Sequence, residues 1–168
     1  MGKIIGRVSL LLVAMAVVGS SVMWARAEDA PSTVAKSIKY SDDFKDQTKV
    51  DADSEVVQNA KVFPTGLSSA DSNPGYVIWD LDKVLADRAP GAKITLFYSG
   101  GVNGPPELRG VTWAVSADGK DFKDISTNEF DKPVEFEGRY LKATVRWIQA
   151  GGPDYGFVRS FSIRAVAK

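Results

Sequence analysis

Three pairs of carboxylates have the spacing closest to acid–base chemistry in this chain: Asp42 with Asp43, Asp80 with Asp82, and Glu135 with Glu137. A glycosidase needs two carboxyl groups about 5 to 10 Å apart, one as acid and the other as base or nucleophile. Adjacent residues of a strand face opposite ways, so Asp42 and Asp43 are poor partners, whereas the other two pairs can share a face. Acids at a period of two are also what the solvated side of a half-buried sheet carries. Histidine and cysteine are both absent. That excludes the Ser-His-Asp arrangement, imidazole- and thiolate-bound metals and thiol nucleophiles. The residues therefore favour a protein that is not an enzyme, with carboxylate-dependent action on a glycan as the remaining catalytic alternative.

Chemistry of recognition is better provided for. Ser99 to Gly110 (SGGVNGPPELRG) is too rich in glycine and proline for a helix or a central strand, and it carries Asn103, Glu107 and Arg109. A second irregular segment, Gln149 to Gly156, carries Asp154 and Tyr155. A flat aromatic face with a few amide, carboxylate and guanidinium groups is what holding a sugar requires. These five residues are the expected ligand-binding set. Asp71, in a loop with Ser68, Ser69 and Asn73, is the candidate metal ligand. Calcium needs six to eight oxygens, partly from backbone carbonyls, and the same residue types also make ordinary solvated turns.

The elements that must position these loops are strands. Val111 to Ile125 (VTWAVSADGKDFKDI) puts Val111, Trp113 and Val115 on one face and folds back at Asp118-Gly119, which is expected to supply the positive φ angles of a tight hairpin turn. Tyr76 to Leu81 aligns Val77, Trp79 and Leu81, and Gly138 to Trp147 aligns Leu141, Ala143, Val145 and Trp147. Trp79, Trp113 and Trp147, in step with apolar neighbours, are expected in the core. Ile38 to Phe44, Val56 to Phe63, Ala92 to Tyr98, Val134 to Phe136 and Phe157 to Val166 are further strands. In the last of these, strict alternation puts Phe157, Arg159, Phe161, Ile163 and Ala165 on one face. Thr65 to Gly75 is expected to be a loop, and Asp82 to Arg88 one helical turn before Pro90-Gly91. Roughly eight strands at short spacing predict an all-β antiparallel sandwich or jelly roll.

The first residues suggest where the protein works. Lys3 and Arg7 precede an apolar run from Val8 to Val18, and Ala25-Arg26-Ala27 offers the small residues of a cleavage site. A signal peptide over 1–27 is expected, since the run is short of the roughly 20 residues that span a bilayer. Cleavage leaves 141 of the 168 residues, with 18 basic against 21 acidic side chains and a net charge of about −3. Residues 28–37 read as a flexible lead and 38–168 as one domain. The mild acidity points away from nucleic acid and anionic membranes as partners, and no stable membrane span is expected after processing. An exported chain without cysteine, periplasmic or extracellular, is expected to be bacterial.

Tyr76 to Leu81 (YVIWDL), the SADGKDF segment from Ser116 to Phe122, GRYLKA from Gly138 to Ala143, and the closing strand Val158 to Val166 together resemble the discoidin, or coagulation-factor type C, superfamily. That superfamily includes galactose-binding-like carbohydrate-binding modules. The resemblance covers most of Ile38 to Val166 in the same order. It implies an eight-stranded jelly-roll β-sandwich and a non-catalytic binding module whose ligand, a carbohydrate or cell-surface glycan, is held by loops at one end. It also implies a structural calcium ion. The chain departs from the pattern in lacking the bracketing cysteine pair, in placing Phe122 where many members have tryptophan, and in preserving no recognisable calcium spacing. A structural or assembly protein binding an envelope partner is the alternative outside the sugar-binding class.

Overall fold

The computed structural model describes residues 36–100, 110–126, 132–146 and 156–167. The expected signal peptide, most of the lead, Trp147 and all five expected ligand-binding residues lie outside them. Within the described residues the chain forms eleven strands and two short helices: β1 (Ser37–Asp42), α1 (Gln47–Asp53), β2 (Val56–Gln58), β3 (Ala60–Phe63), β4 (Gly66–Ser69), β5 (Gly75–Asp80), α2 (Leu81–Val84), β6 (Ile94–Gly100), β7 (Val111–Ser116), β8 (Lys123–Asp124), β9 (Val134–Phe136), β10 (Tyr140–Val145) and β11 (Val158–Val166).

The strands build two antiparallel sheets. One runs β3-β4-β11-β6-β9, with β1 also on β11, and the other runs β2-β5-β10-β7-β8. The sheets pack face to face as a β-sandwich. Trp79 of β5 and Trp113 of β7 meet Phe161 of β11 with ring centroids 4.7 and 5.4 Å apart, and Tyr98 of β6 lies 5.3 Å from Trp113. Offset and tilted ring pairs at these distances add about 0.5–1.5 kcal/mol each beyond the area they bury. Both tryptophans are fully buried, as their position in the alternating runs predicts.

Four local expectations are corrected. Thr65 to Gly75 is not all loop: Gly66–Ser69 pairs with both β3 and β11, and all four residues are buried. Leu67 enters the core while Gly66, Ser68 and Ser69 are small enough to be covered, so the strand is buried without an alternating apolar pattern. The Asp118-Gly119 turn is wider than a two-residue hairpin, because Val115 pairs with Lys123. Only Gly119 takes a positive φ, +78°, while the Asp118 carboxylate accepts from the Lys120 and Asp121 amides and the Ser116 hydroxyl. In β11 a register shift between Val158 and Ser160 breaks the alternation and leaves Arg159 exposed, off the core face, while Phe161, Ile163 and Ala165 stay inside. Finally, the helical turn begins one residue early, at Leu81, where the Asp80 side chain caps it by accepting from the Asp82 amide at 2.9 Å.

Candidate functional site

Two places matter for recognition, and they adjoin. The first is the base from which the two expected ligand loops leave the sandwich. In sequence, Asn103, Glu107 and Arg109 fall between Gly100 and Gly110, and Asp154 and Tyr155 between Arg146 and Gly156. These flanking residues meet. The Arg146 amide donates to the Gly110 carbonyl at 2.8 Å, and Val158 pairs with Gly100. Gly110 and Gly156 approach so closely that a Cβ on Gly110 would sit 2.2 Å from the Gly156 Cα, and one on Gly156 would sit 1.7 Å from the Arg146 carbonyl oxygen. Only glycine fits at this crossing, and Gly156 also has a φ of +90°. The Ser68 hydroxyl of β4 donates to the Gly156 carbonyl at 3.2 Å, tying the base to the buried strand.

The second place is an open groove of about 480 Å³ on the outer face of the first sheet, lined among others by Lys39, Ser41, Asp43, Lys49, Phe97, Ser99, Ser160 and Ser162. Register explains the lining. Lys39, Arg164, Thr95 and Glu135 form one row across β1, β11, β6 and β9; Ser41, Ser162 and Phe97 form the next; Ser160 and Ser99 form a third, with their hydroxyls 2.9 Å apart. The third row is within two residues of Gly100 and Val158, so the groove runs up to the loop base. Phe97 is half-buried and presents an aromatic surface in a floor of hydroxyls. The Arg164 guanidinium leans over it, its Cζ 5.6 Å from the ring centroid. Sequence alternation puts Ser160, Ser162 and Arg164 on one face, but it does not say that Phe97 and Ser41 are their neighbours.

The wall beyond β1 is rigidly held. The buried Asp42 carboxylate accepts from the Phe44 amide at 2.8 Å and from the Lys49 ammonium at 2.9 Å. Asp43 faces out beside Lys45 at 2.8 Å, so the pair diverges as adjacent strand residues must. Asp80 and Asp82 do share a side, and both are engaged with Arg139, at 2.8 and 3.5 Å, with Arg88 also bonded to Asp82. The Arg139 guanidinium holds the Asp80 carboxyl below the usual carboxylate range. Glu135 and Glu137 are exposed, with Lys93 4.0 Å from Glu135.

Asp71 does not fit calcium. Its Oδ1 accepts from the Asn59 side-chain amide and from the Asn73 amide, both at 2.8 Å. The same Asn59 nitrogen donates to the carbonyls of Asn73 at 2.9 Å and Pro74 at 3.5 Å. A hydrogen-bond donor thus stands where a cation would have to gather these oxygens. The Asn59 donor, followed by the Asn73 amide, holds the Asp71 carboxyl below its ordinary value. Among the described residues no group of three or more acidic side chains gathers.

No family model matches the chain. No curated protein matches it either. Among solved structures, the C-terminal domain of a chitobiase from Bacteroides fragilis is 24% identical over 58% of this chain and 67% of that one, with a TM-score of 0.32. At that score the likeness establishes neither a shared fold nor a shared ligand, and the chain's function is argued from its own residues.

Proposed function

We propose that residues 38–168 form a non-catalytic carbohydrate-binding domain of a galactose-binding-like jelly-roll class, exported once residues 1–27 are removed. The observation that carries the reading is the groove itself: an aromatic surface, Phe97, among four serine hydroxyls on a rigid sheet, continuing to the shared base of two polar loops. Apolar stacking with a few oriented hydroxyl and charged partners is how proteins hold pyranose rings. Strand order supports the jelly-roll class. Hairpins apart, successive strands alternate between the sheets from β1 to β11, as a chain wrapping around a sandwich does. Asn103, Glu107, Arg109, Asp154 and Tyr155 would then contact the part of the glycan that extends past the groove.

The test is a glycan array and polysaccharide pull-down with the purified protein. Phe97→Ala should weaken binding at least tenfold with its melting temperature within a few degrees of the parent, and Tyr155→Ala or Arg109→Ala should weaken it further. Absence of any polysaccharide binding, or binding unaffected by Phe97→Ala, would sink the reading. A stoichiometric protein partner captured in its place would favour an assembly role.

A further inference from the structure

The row bordering the groove, from which Lys39 lines it, holds two cations face to face. Lys39 of β1 is the direct cross-strand partner of Arg164 of β11, and both are exposed on the outer face. Like charges directly opposite on neighbouring strands are destabilising. Among the described residues neither reaches a carboxylate: Glu135, at the far end of the row, lies beside Lys93, and Asp43 beside Lys45. Apart from the Phe97 ring beneath the guanidinium, no described group on this face offsets the repulsion. Directly above the pair lie Ser41, Ser162 and Phe97.

We infer that, within the sugar-binding reading above, the groove takes an acidic polysaccharide, one built of uronic acids. A pyranose laid beside Phe97 meets the Arg164 guanidinium, which stands over the ring with its Cζ 5.6 Å from the centroid. The carboxylate of a uronic acid is attached directly to the sugar ring. It comes between Lys39 and Arg164 while the ring hydroxyls face Ser41 and Ser162. Arginine's planar fork matches a carboxylate bidentately, and lysine adds a second positive charge. The anion relieves the cross-strand repulsion, so binding gains what the empty sheet loses.

Polygalacturonate and alginate, each compared with its own methyl ester, test this in affinity electrophoresis and calorimetry, since the esters keep the sugar and remove the charge. The acid form of at least one should bind tenfold or more tighter than its ester, and the preference should shrink as sodium chloride is raised. Lys39→Gln combined with Arg164→Gln should abolish the preference, while Phe97→Ala weakens acid and ester alike. Equal binding of acid and ester, or a preference that survives the double substitution, overturns the inference. If a neutral glycan binds in a Phe97-dependent manner and neither acid does, the sugar-binding reading stands and this inference falls. If no polysaccharide binds, both fall.

Discussion

Phe44 sits in the left-handed region at φ +48°, yet it is fully buried, stacked on Phe161 at 5.6 Å. A non-glycine residue in that region costs about 1–2 kcal/mol, so something must hold it. Asp42 does, by accepting from the Phe44 amide, and its remaining oxygen is met by Lys49. Asp42→Ala leaves a buried amide unpaired and releases the bend. It should cost about 2–4 kcal/mol in urea denaturation, and Asp42→Asn distinctly less. Next to it, Tyr40 donates to Asp53 at 2.9 Å. Burial first, and then the bond to Asp53, raise its phenol far above the ordinary value of 10.0. Below pH 10 the phenol is neutral in folded and unfolded chains alike, so its contribution is fully present. Above it the unfolded chain ionises first, and stability falls as pH rises. The urea midpoint should therefore fall from about pH 10 upward, and Tyr40→Phe should flatten that fall. An equally steep fall in the variant would rule Tyr40 out as the cause.

At the scale of elements, the β4–β5 connection shows how a loop can be organised without metal. Asn59 takes a φ of +48° and reaches across with its amide to Asp71 and to the Asn73 carbonyl. The melting temperature should be the same in calcium chloride and in EDTA. Asn59→Asp should lower it in EDTA by setting two carboxylates against each other, and calcium should restore it. A wild-type melting temperature that climbs with calcium would overturn this account. Such a loop is not legible in sequence, since Ser, Asp and Asn read alike as turn formers. What alternation does reveal is the long strands: β5, β7 and β10 each bury every second residue as their sequences indicate. It fails where other physics takes over. Gly66–Ser69 carries one apolar anchor, Leu67, among three residues small enough to be covered, and so shows no amphipathic alternation, while α1 buries only Val50 and so has no apolar period to detect. The bulge beside Arg159 is set by the meeting of β11 with β6, which no local pattern records. The groove was hidden for the same reason. Each strand's outward residues are readable, but which strands lie side by side is a property of the folded sheet.

Over the whole molecule, a chain without disulfides relies on the aromatic cluster that joins the sheets, with Trp79, Trp113 and Phe161 at its centre. It accepts a cost there, since the indole nitrogens of Trp79 and Trp113 are buried with no partner among the described residues, at about 1–3 kcal/mol apiece. Burial of two of the largest side chains outweighs this at roughly 25 cal/mol per Å². β11 is the other keystone. It touches β1, β4 and β6, and pairs Val166 with Ser37, so the last of the described strands is the one on which the first sheet depends. A ribosome delivers β1 long before its partner, and every strand of that sheet except β11 is complete before its centre exists. Contacts so distant along the chain form slowly. The first sheet thus stays open until residues 158–166 have been made, and its other strands must wait for them.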